Sequence, residues 1–154
     1  MNEAFKQAQD FLNQLFSHAR FDLRAQTAET DSGGLLNLDG EDAALLRAEG
    51  GELLDAVEHF VNQAFARGLP QGERIVCDVH SFRAERETEL RAMARLAAER
   101  VRSSGVPFTF GPMNPNERRV IHLALADDEQ LHTESVGDGN DRRLKVTLKS
   151  PGKQ

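Results

Sequence analysis

Asn114-Pro115-Asn116-Glu117 fixes the start of a helix more tightly than any other stretch of this chain. An asparagine at the N-cap accepts from N–H groups that have no partner inside the helix. Proline at the next position gives up an N–H that would have had none. Glu117 falls where a capping-box acid sits and faces the positive helix end. Val120, Ile121, Leu123, Ala124 and Leu125 supply the buried side. Arg118 and His122 then stand one turn apart on a common face. A cation and an imidazole held in this way can grip a phosphate and stack on a base.

The rest of the chain follows in two blocks. Phe5, Ala8, Leu12 and Leu15 recur at helical spacing, with Phe11 and Phe16 widening the stripe. Phe21, Leu23 and Ala25 alternate as in a strand, Gly33-Gly34 reads as a turn, and Leu36 and Leu38 continue as a second strand. Residues 42–47 form a short helix, broken at Ala48-Glu49-Gly50-Gly51. The next helix carries Leu53, Leu54, Val57, Phe60, Val61, Ala64 and Phe65 on one broad face and stops near Gly68 and Pro70. Residues 73–79 make a strand with Ile75, Cys77 and Val79 on one side. A long helix over 81–104 buries Leu90, Met93, Ala94, Ala97 and Val101. A short strand at 107–110, the Asn114 helix and a hairpin across Gly137-Asp138-Gly139-Asn140-Asp141 complete the chain. The reading is α+β, α-β-β-α-α-β followed by α-β-α-β-β, with a tight junction near 78–82 and no internal repeat.

Charge separates the blocks. The 154 residues carry a formal net charge of −6, yet only about 6 basic face 13 acidic residues up to Val76, against 13 and 12 beyond it. A polyanion would therefore prefer the second block. One cysteine, Cys77, excludes an intramolecular disulfide and suits a reducing compartment. The polar start, Met1-Asn2-Glu3-Ala4-Phe5-Lys6, lacks a signal-peptide core. No apolar run approaches the roughly 20 residues that span a bilayer. The expectation is a cytoplasmic protein that is not membrane-embedded.

The second block resembles the single-stranded nucleic-acid-binding domain named for its Arg-x-x-x-His motif, here Arg118 and His122. Cys77-Asp78-Val79-His80-Ser81-Phe82-Arg83-Ala84-Glu85-Arg86 resembles that family's strand-to-helix junction. Phe110-Gly111-Pro112-Met113-Asn114-Pro115 precedes Glu117-Arg118-Arg119 as in the bacterial Jag proteins, also called SpoIIIJ-associated proteins. Thr133-Glu134-Ser135-Val136-Gly137 with Arg142-Arg143 resembles the closing hairpin. A bare Arg-x-x-x-His is common by chance, whereas this ordered set over about 75 residues is not. Jag proteins carry a KH domain directly before this module, and α-β-β-α-α-β is the bacterial, type II KH arrangement. Gly51-Glu52-Leu53-Leu54-Asp55-Ala56-Val57 resembles the start of its post-loop helix. The resemblance implies a KH-like domain at 1–79, the Arg-x-x-x-His domain at 80–150 and a tail at 151–154. It begins almost at Met1, so the separate N-terminal Jag segment is not expected. It further implies non-catalytic binding of single-stranded RNA and a post-transcriptional role linked to cell elongation and division. A small KH-domain protein would be the partner.

Individual residues carry these expectations. Arg118 would contact phosphate, and His122 would hydrogen-bond phosphate or stack on a base. Arg119 lies partly to the side of the helix. Arg142 and Arg143 alternate along a strand, so only one can share the surface of Arg118. Arg83 and Arg86 either extend the cationic patch or serve as plain salt bridges. A KH loop is G-x-x-G, often with basic central residues, and it clamps a nucleotide backbone. Ala48-Glu49-Gly50-Gly51 loses the first glycine and puts an acid where a cation would help, so this half is expected to bind RNA weakly or not at all and to serve as a scaffold or partner surface. The phenylalanines are spaced as core, so affinity should be modest and sequence preference loose. His18, His59, His80 and His132 show no metal-ligand spacing, no carboxylate pair is set apart as acid and base, and neither cofactor nor enzymatic activity is expected. No residue reads a ribose 2′-hydroxyl, which leaves single-stranded DNA open as the ligand, and an adaptor role open beside it.

Overall fold

The computed structural model describes residues 2–31 and 33–149; Ser150 and the expected tail at 151–154 lie outside the described residues. The chain divides into two compact units, Met1–Arg83 and Ala84–Gln154.

The first unit runs α1 (Glu3–His18), β1 (Arg24–Thr30), β2 (Gly33–Asp39), α2 (Ala43–Arg47), α3 (Glu52–Phe65) and β3 (Val76–Asp78). Its sheet has the order β1-β2-β3, with β1 antiparallel to β2 and β2 parallel to β3. Asn2 caps α1 by accepting from the Ala4 N–H at 2.8 Å. Phe5, Ala8, Leu12 and Phe16 enter the core with Leu36, Leu38, Leu46, Leu54, Val61 and Ile75. Leu15 is left exposed, because Leu12 and Phe16 already cover the sheet-facing arc.

Three strand boundaries differ from the sequence reading. The first strand does not begin at Phe21, which is exposed; β1 starts at Arg24 and continues through the polar Gln26–Thr30 stretch. Gly33 and Gly34 are not a turn but pair with Thr30 and Glu29 inside β2. Backbone pairing with β2 carries β1 past the point where its apolar alternation ends. The third strand is likewise only Val76–Asp78, the length over which it finds a register with Leu35–Asn37.

Helix side chains hold backbone groups at both outer edges of this sheet. On β1, Asn13 Nδ2 donates to the Ala25 carbonyl at 3.0 Å and Asn13 Oδ1 accepts the Ala25 N–H at 2.8 Å. Gln9, one turn earlier on α1, accepts the Thr27 N–H at 2.7 Å. On β3, Asn62 of α3 accepts the Ile75 N–H at 2.8 Å and donates to the Ile75 carbonyl at 2.7 Å, while Glu58 Oε2 accepts the Cys77 N–H at 3.0 Å. The N–H groups of Ala25, Thr27, Ile75 and Cys77 and the carbonyls of Ala25 and Ile75 thereby find partners within the unit, which makes these positions poorer templates for another chain.

Cys77 is buried between these elements, and burial, reinforced by the nearby Glu58 carboxylate, pushes its thiol up to about 12. The raised value favours the neutral thiol in the folded state. Its contribution to stability is therefore full below the ordinary thiol range and is lost as pH rises toward 12. Because the thiolate is the reactive form, alkylation of the native chain by iodoacetamide at pH 8 should be slow and should accelerate with urea in step with unfolding. Rapid labelling of the native chain would contradict the burial.

β3 turns into α4 (Phe82–Ser104) through His80 and Ser81, both left-handed at φ 45° and 63°. Asn37 Oδ1 accepts the His80 N–H at 2.9 Å, and His80 Nε2 lies 3.1 Å from Asp39 Oδ2. The bend is thus tied to the end of β2.

The second unit contains most of α4, then β4 (Phe108–Thr109), α5 (Pro115–Leu125), β5 (Leu131–Val136) and β6 (Arg143–Leu148). Its sheet is antiparallel in the order β4-β6-β5. Leu90, Ala94, Ala97, Ala98 and Val101 of α4 join Phe110, Ile121, Leu125, Leu131, Leu144 and Val146 in one core. Phe108 and Phe110 pack edge to face at 4.9 Å, so neither stands out as a stacking platform.

Candidate nucleic-acid interface

The site is built on α5. Asn114 caps it, its side chain accepting the Glu117 N–H at 2.9 Å, and Pro115 occupies the first turn. Glu117 faces inward and is only 6 % exposed. Its carboxylate meets Arg86 Nε of α4 at 3.0 Å, and Arg86 Nη1 also reaches Glu89 at 3.0 Å. The Glu117 hydrogen bond is the main reason the Arg86 guanidinium is held above its usual range. Arg86 is thereby a structural ion-pair partner, not a free cation.

With Glu117, Ile121 and Leu125 turned inward, Arg118, Arg119 and His122 face an open cleft of about 390 Å³ between α5 and β5. Thr133, Glu134 and Ser135 supply the opposite wall, and Arg142 and Leu144 supply the floor. Arg118 is half-buried because its Nη1 donates to the Met113 carbonyl and, at 3.5 Å, to that of Arg142. This anchors the guanidinium at the mouth of the helix and leaves its other N–H groups for a ligand. Arg142 Nη1 donates to the Gly137 carbonyl at 2.8 Å. His122 is exposed, with Nδ1 2.5 Å from Thr133 Oγ1.

The sequence-derived candidates therefore fall into groups. Arg118, Arg119, His122 and Arg142 share one cleft, and Arg143, the exposed first residue of β6, does not line it. Arg83 is a correction. Its Nη1 meets Asp55 at 2.6 Å, its Nη2 meets Glu58 at 3.1 Å and its Nε donates to the Cys77 carbonyl at 2.9 Å. Burial works to lower its pKa, but the Asp55 and Glu58 carboxylates outweigh that and hold the guanidinium above its ordinary range. All three donor positions are committed inside the first unit, so Arg83 clamps α3 to the end of β3. Among the described residues, the cleft arginines Arg118, Arg119 and Arg142 form no ion pair with a carboxylate, unlike Arg83 and Arg86.

Thr133, Glu134 and Ser135 had no assigned role in the sequence reading. Strand alternation places Thr133 and Ser135 on one side of β5, but only the packing of α5 shows that this side faces the motif.

The Ala48-Glu49-Gly50-Gly51 loop joins α2 to α3 through three successive left-handed residues, Glu49, Gly50 and Gly51 at φ 53°, 67° and 88°. A Cβ on Gly51 would lie 2.9 Å from the Phe82 ring, so this glycine serves internal packing. Ala48 and Glu49 keep the altered loop chemistry read from the sequence.

Among the described residues, no group of three His, Cys, Asp or Glu side chains is placed to hold a metal ion, and no helix is long and apolar enough to cross a membrane.

Residues 88–148 match the R-three-H domain family, the one named for its Arg-x-x-x-His motif. The chain is also 30 % identical over 142 residues to the RNA-binding protein KhpB of Clostridium symbiosum, covering 91 % of this chain and 64 % of that relative. It is 30 % identical over 115 residues to the RNA-binding protein KhpB of Bacillus subtilis (strain 168), covering 73 % of this chain and 55 % of that protein. A third KhpB, from Lactiplantibacillus plantarum, is 26 % identical over 114 residues, covering 74 % of this chain and 35 % of the relative. The chain thus spans less than two thirds of the length of each.

Proposed function

We propose that this chain carries an R-three-H domain and binds single-stranded RNA reversibly and without catalysis, through the cleft between α5 and β5. One observation carries the reading: three arginines and a histidine converge there with, among the described residues, no carboxylate paired to any of the arginines, while Arg83 and Arg86 are already engaged. Arg118, Arg119 and Arg142 contact phosphates, and His122 hydrogen-bonds a phosphate or stacks on a base. The RNA-binding names of the KhpB relatives support RNA as the polymer. We further propose a cytoplasmic setting, a KH-like first domain ending near residue 79 and a small KH-domain protein as partner. A post-transcriptional role linked to cell elongation and division rests on the Jag resemblance.

Titration of one labelled oligonucleotide sequence as RNA and as DNA, across a salt series, tests the reading. Engagement of about three phosphates should give a log–log salt slope near −2, from about −0.7 per phosphate for single strands. A salt-independent isotherm, or equal indifference to both polymers at low salt, contradicts it. Arg142→Ala should weaken RNA binding by roughly 3- to 10-fold, the worth of one exposed charged contact. Arg143→Ala should leave the same isotherm nearly unchanged. Equal losses would mean that the cleft is not the ligand's path.

A second reading, an adaptor with weak RNA affinity, is favoured by the first unit. Phe60 is 51 % and Leu53 is 40 % exposed on α3, and the Phe60 ring stacks on Phe11 at 5.6 Å, so an apolar strip faces solvent beside the acidic Glu49 loop. RNA binding undetectable at low salt would favour this reading.

A further inference from the structure

We infer that Thr133 is a positioning residue: its hydroxyl donates into His122 Nδ1 and holds the neutral imidazole as the Nε2–H tautomer, aimed outward as a donor. The inference rests on the reading of the cleft as an RNA site.

A hydroxyl has one proton to give and can also accept. The Thr133 hydroxyl lies 2.5 Å from His122 Nδ1 and meets no other hydrogen-bond partner among the described residues. Its proton therefore has a single acceptor within the protein, the Nδ1 lone pair. Thr133 is half-buried, its backbone is paired with Val146 in the middle of the β5–β6 ladder, and its direction is set by the sheet. His122 sits in the last turn of α5, which packs on β5. Both partners stand on regular elements, so the imidazole is held without help from ligand. The proton on one ring nitrogen is set by the hydrogen bond that the other makes. With Nδ1 as acceptor, Nε2 carries the hydrogen.

The consequence is chemical. Arg118 and Arg119 from α5 and Arg142 before β6 present only donors, and among the described residues Glu134 of β5 is the single acid lining the cleft. An Nε2–H adds another donor to that wall. The opposite tautomer would turn a lone pair toward a phosphate oxygen and repel it. A neutral ring held in this tautomer already presents a donor to a phosphate oxygen.

Nitrogen NMR of His122 in the free full-length chain reads the tautomer without RNA. RNA titrations at pH 8 then compare the wild type with Thr133→Val and Thr133→Ser. The expected result in the free wild type is an Nε2–H ring. Thr133→Val should lose that preference in the NMR spectrum and roughly 3- to 10-fold in RNA affinity, the range of one net hydrogen bond. Thr133→Ser should restore both. An Nδ1–H ring in the free wild type overturns the inference, as does a Thr133→Val chain that keeps the wild-type tautomer and affinity. Absence of RNA binding by the wild type overturns the RNA reading instead, and the tautomer assignment is then judged on the NMR alone.

Discussion

Replacing Arg118 and His122 together by alanine is expected to weaken single-stranded RNA binding by about 1–3 kcal/mol, roughly 5- to 150-fold, because a charged phosphate contact and a base contact are lost together. The salt slope should become shallower by about 0.7, one phosphate fewer. Arg118 also has a structural duty: its Nη1 donates to the Met113 carbonyl at the mouth of α5. A loss of affinity in the double variant could therefore arise from a displaced loop. Arg119→Glu separates the two causes. Arg119 is exposed on the same cleft and makes no hydrogen bond or ion pair among the described residues. Reversing its charge should cost affinity by a similar factor while the thermal melt stays at the wild-type temperature. An unchanged isotherm in both variants, with folding intact, would remove the cleft from the proposed function.

The motif itself is readable because a helix start and a four-residue spacing are both local properties. Asn114 and Pro115 fix where α5 begins, and that start fixes which residues share a face. The same logic, with strand alternation, separates Arg142 from Arg143. The partners of the cleft are not local. Whether Thr133 meets His122, and whether Arg83 meets phosphate or the carboxylates of Asp55 and Glu58, depends on pairings 11 to 28 residues distant in sequence. An arginine pattern is the same in either case; only the positions of the acids decide which cations remain for a ligand.

The fold divides along similar lines. Its α+β class and element order follow from apolar periodicity, strong in α1, α3 and α5 and in β6. β1 is the counterexample. Its Gln26–Thr30 stretch carries little apolar alternation, and it is a strand because β2 offers a partner along its whole length. The first-unit helices are misread differently: broad apolar stripes suggest full burial, yet a helix packed on one sheet hides only one arc. Leu15, Leu53 and Phe60 lie outside it.

Asn62→Ala should be the most damaging single change outside the hydrophobic core. The side chain satisfies both backbone groups of Ile75, itself fully buried, and its Nδ2 also donates to the Glu58 carbonyl of its own helix at 2.8 Å. Alanine leaves the Ile75 N–H and carbonyl without partners at this edge, and each such group costs about 1–3 kcal/mol. The two share one site and some water can enter, so the expected loss is about 2–4 kcal/mol, a fall of roughly 10–25 °C in the melting temperature of a unit this size. Gln63→Ala, at the next and exposed position, should shift the melt by no more than a degree or two. Asn62→Asp keeps an acceptor for the Ile75 N–H but loses the donor to its carbonyl, and should fall between them. If Asn62→Ala melted with Gln63→Ala, the β3 edge would have to be held by other groups, with Glu58 and Arg83 the nearest at hand.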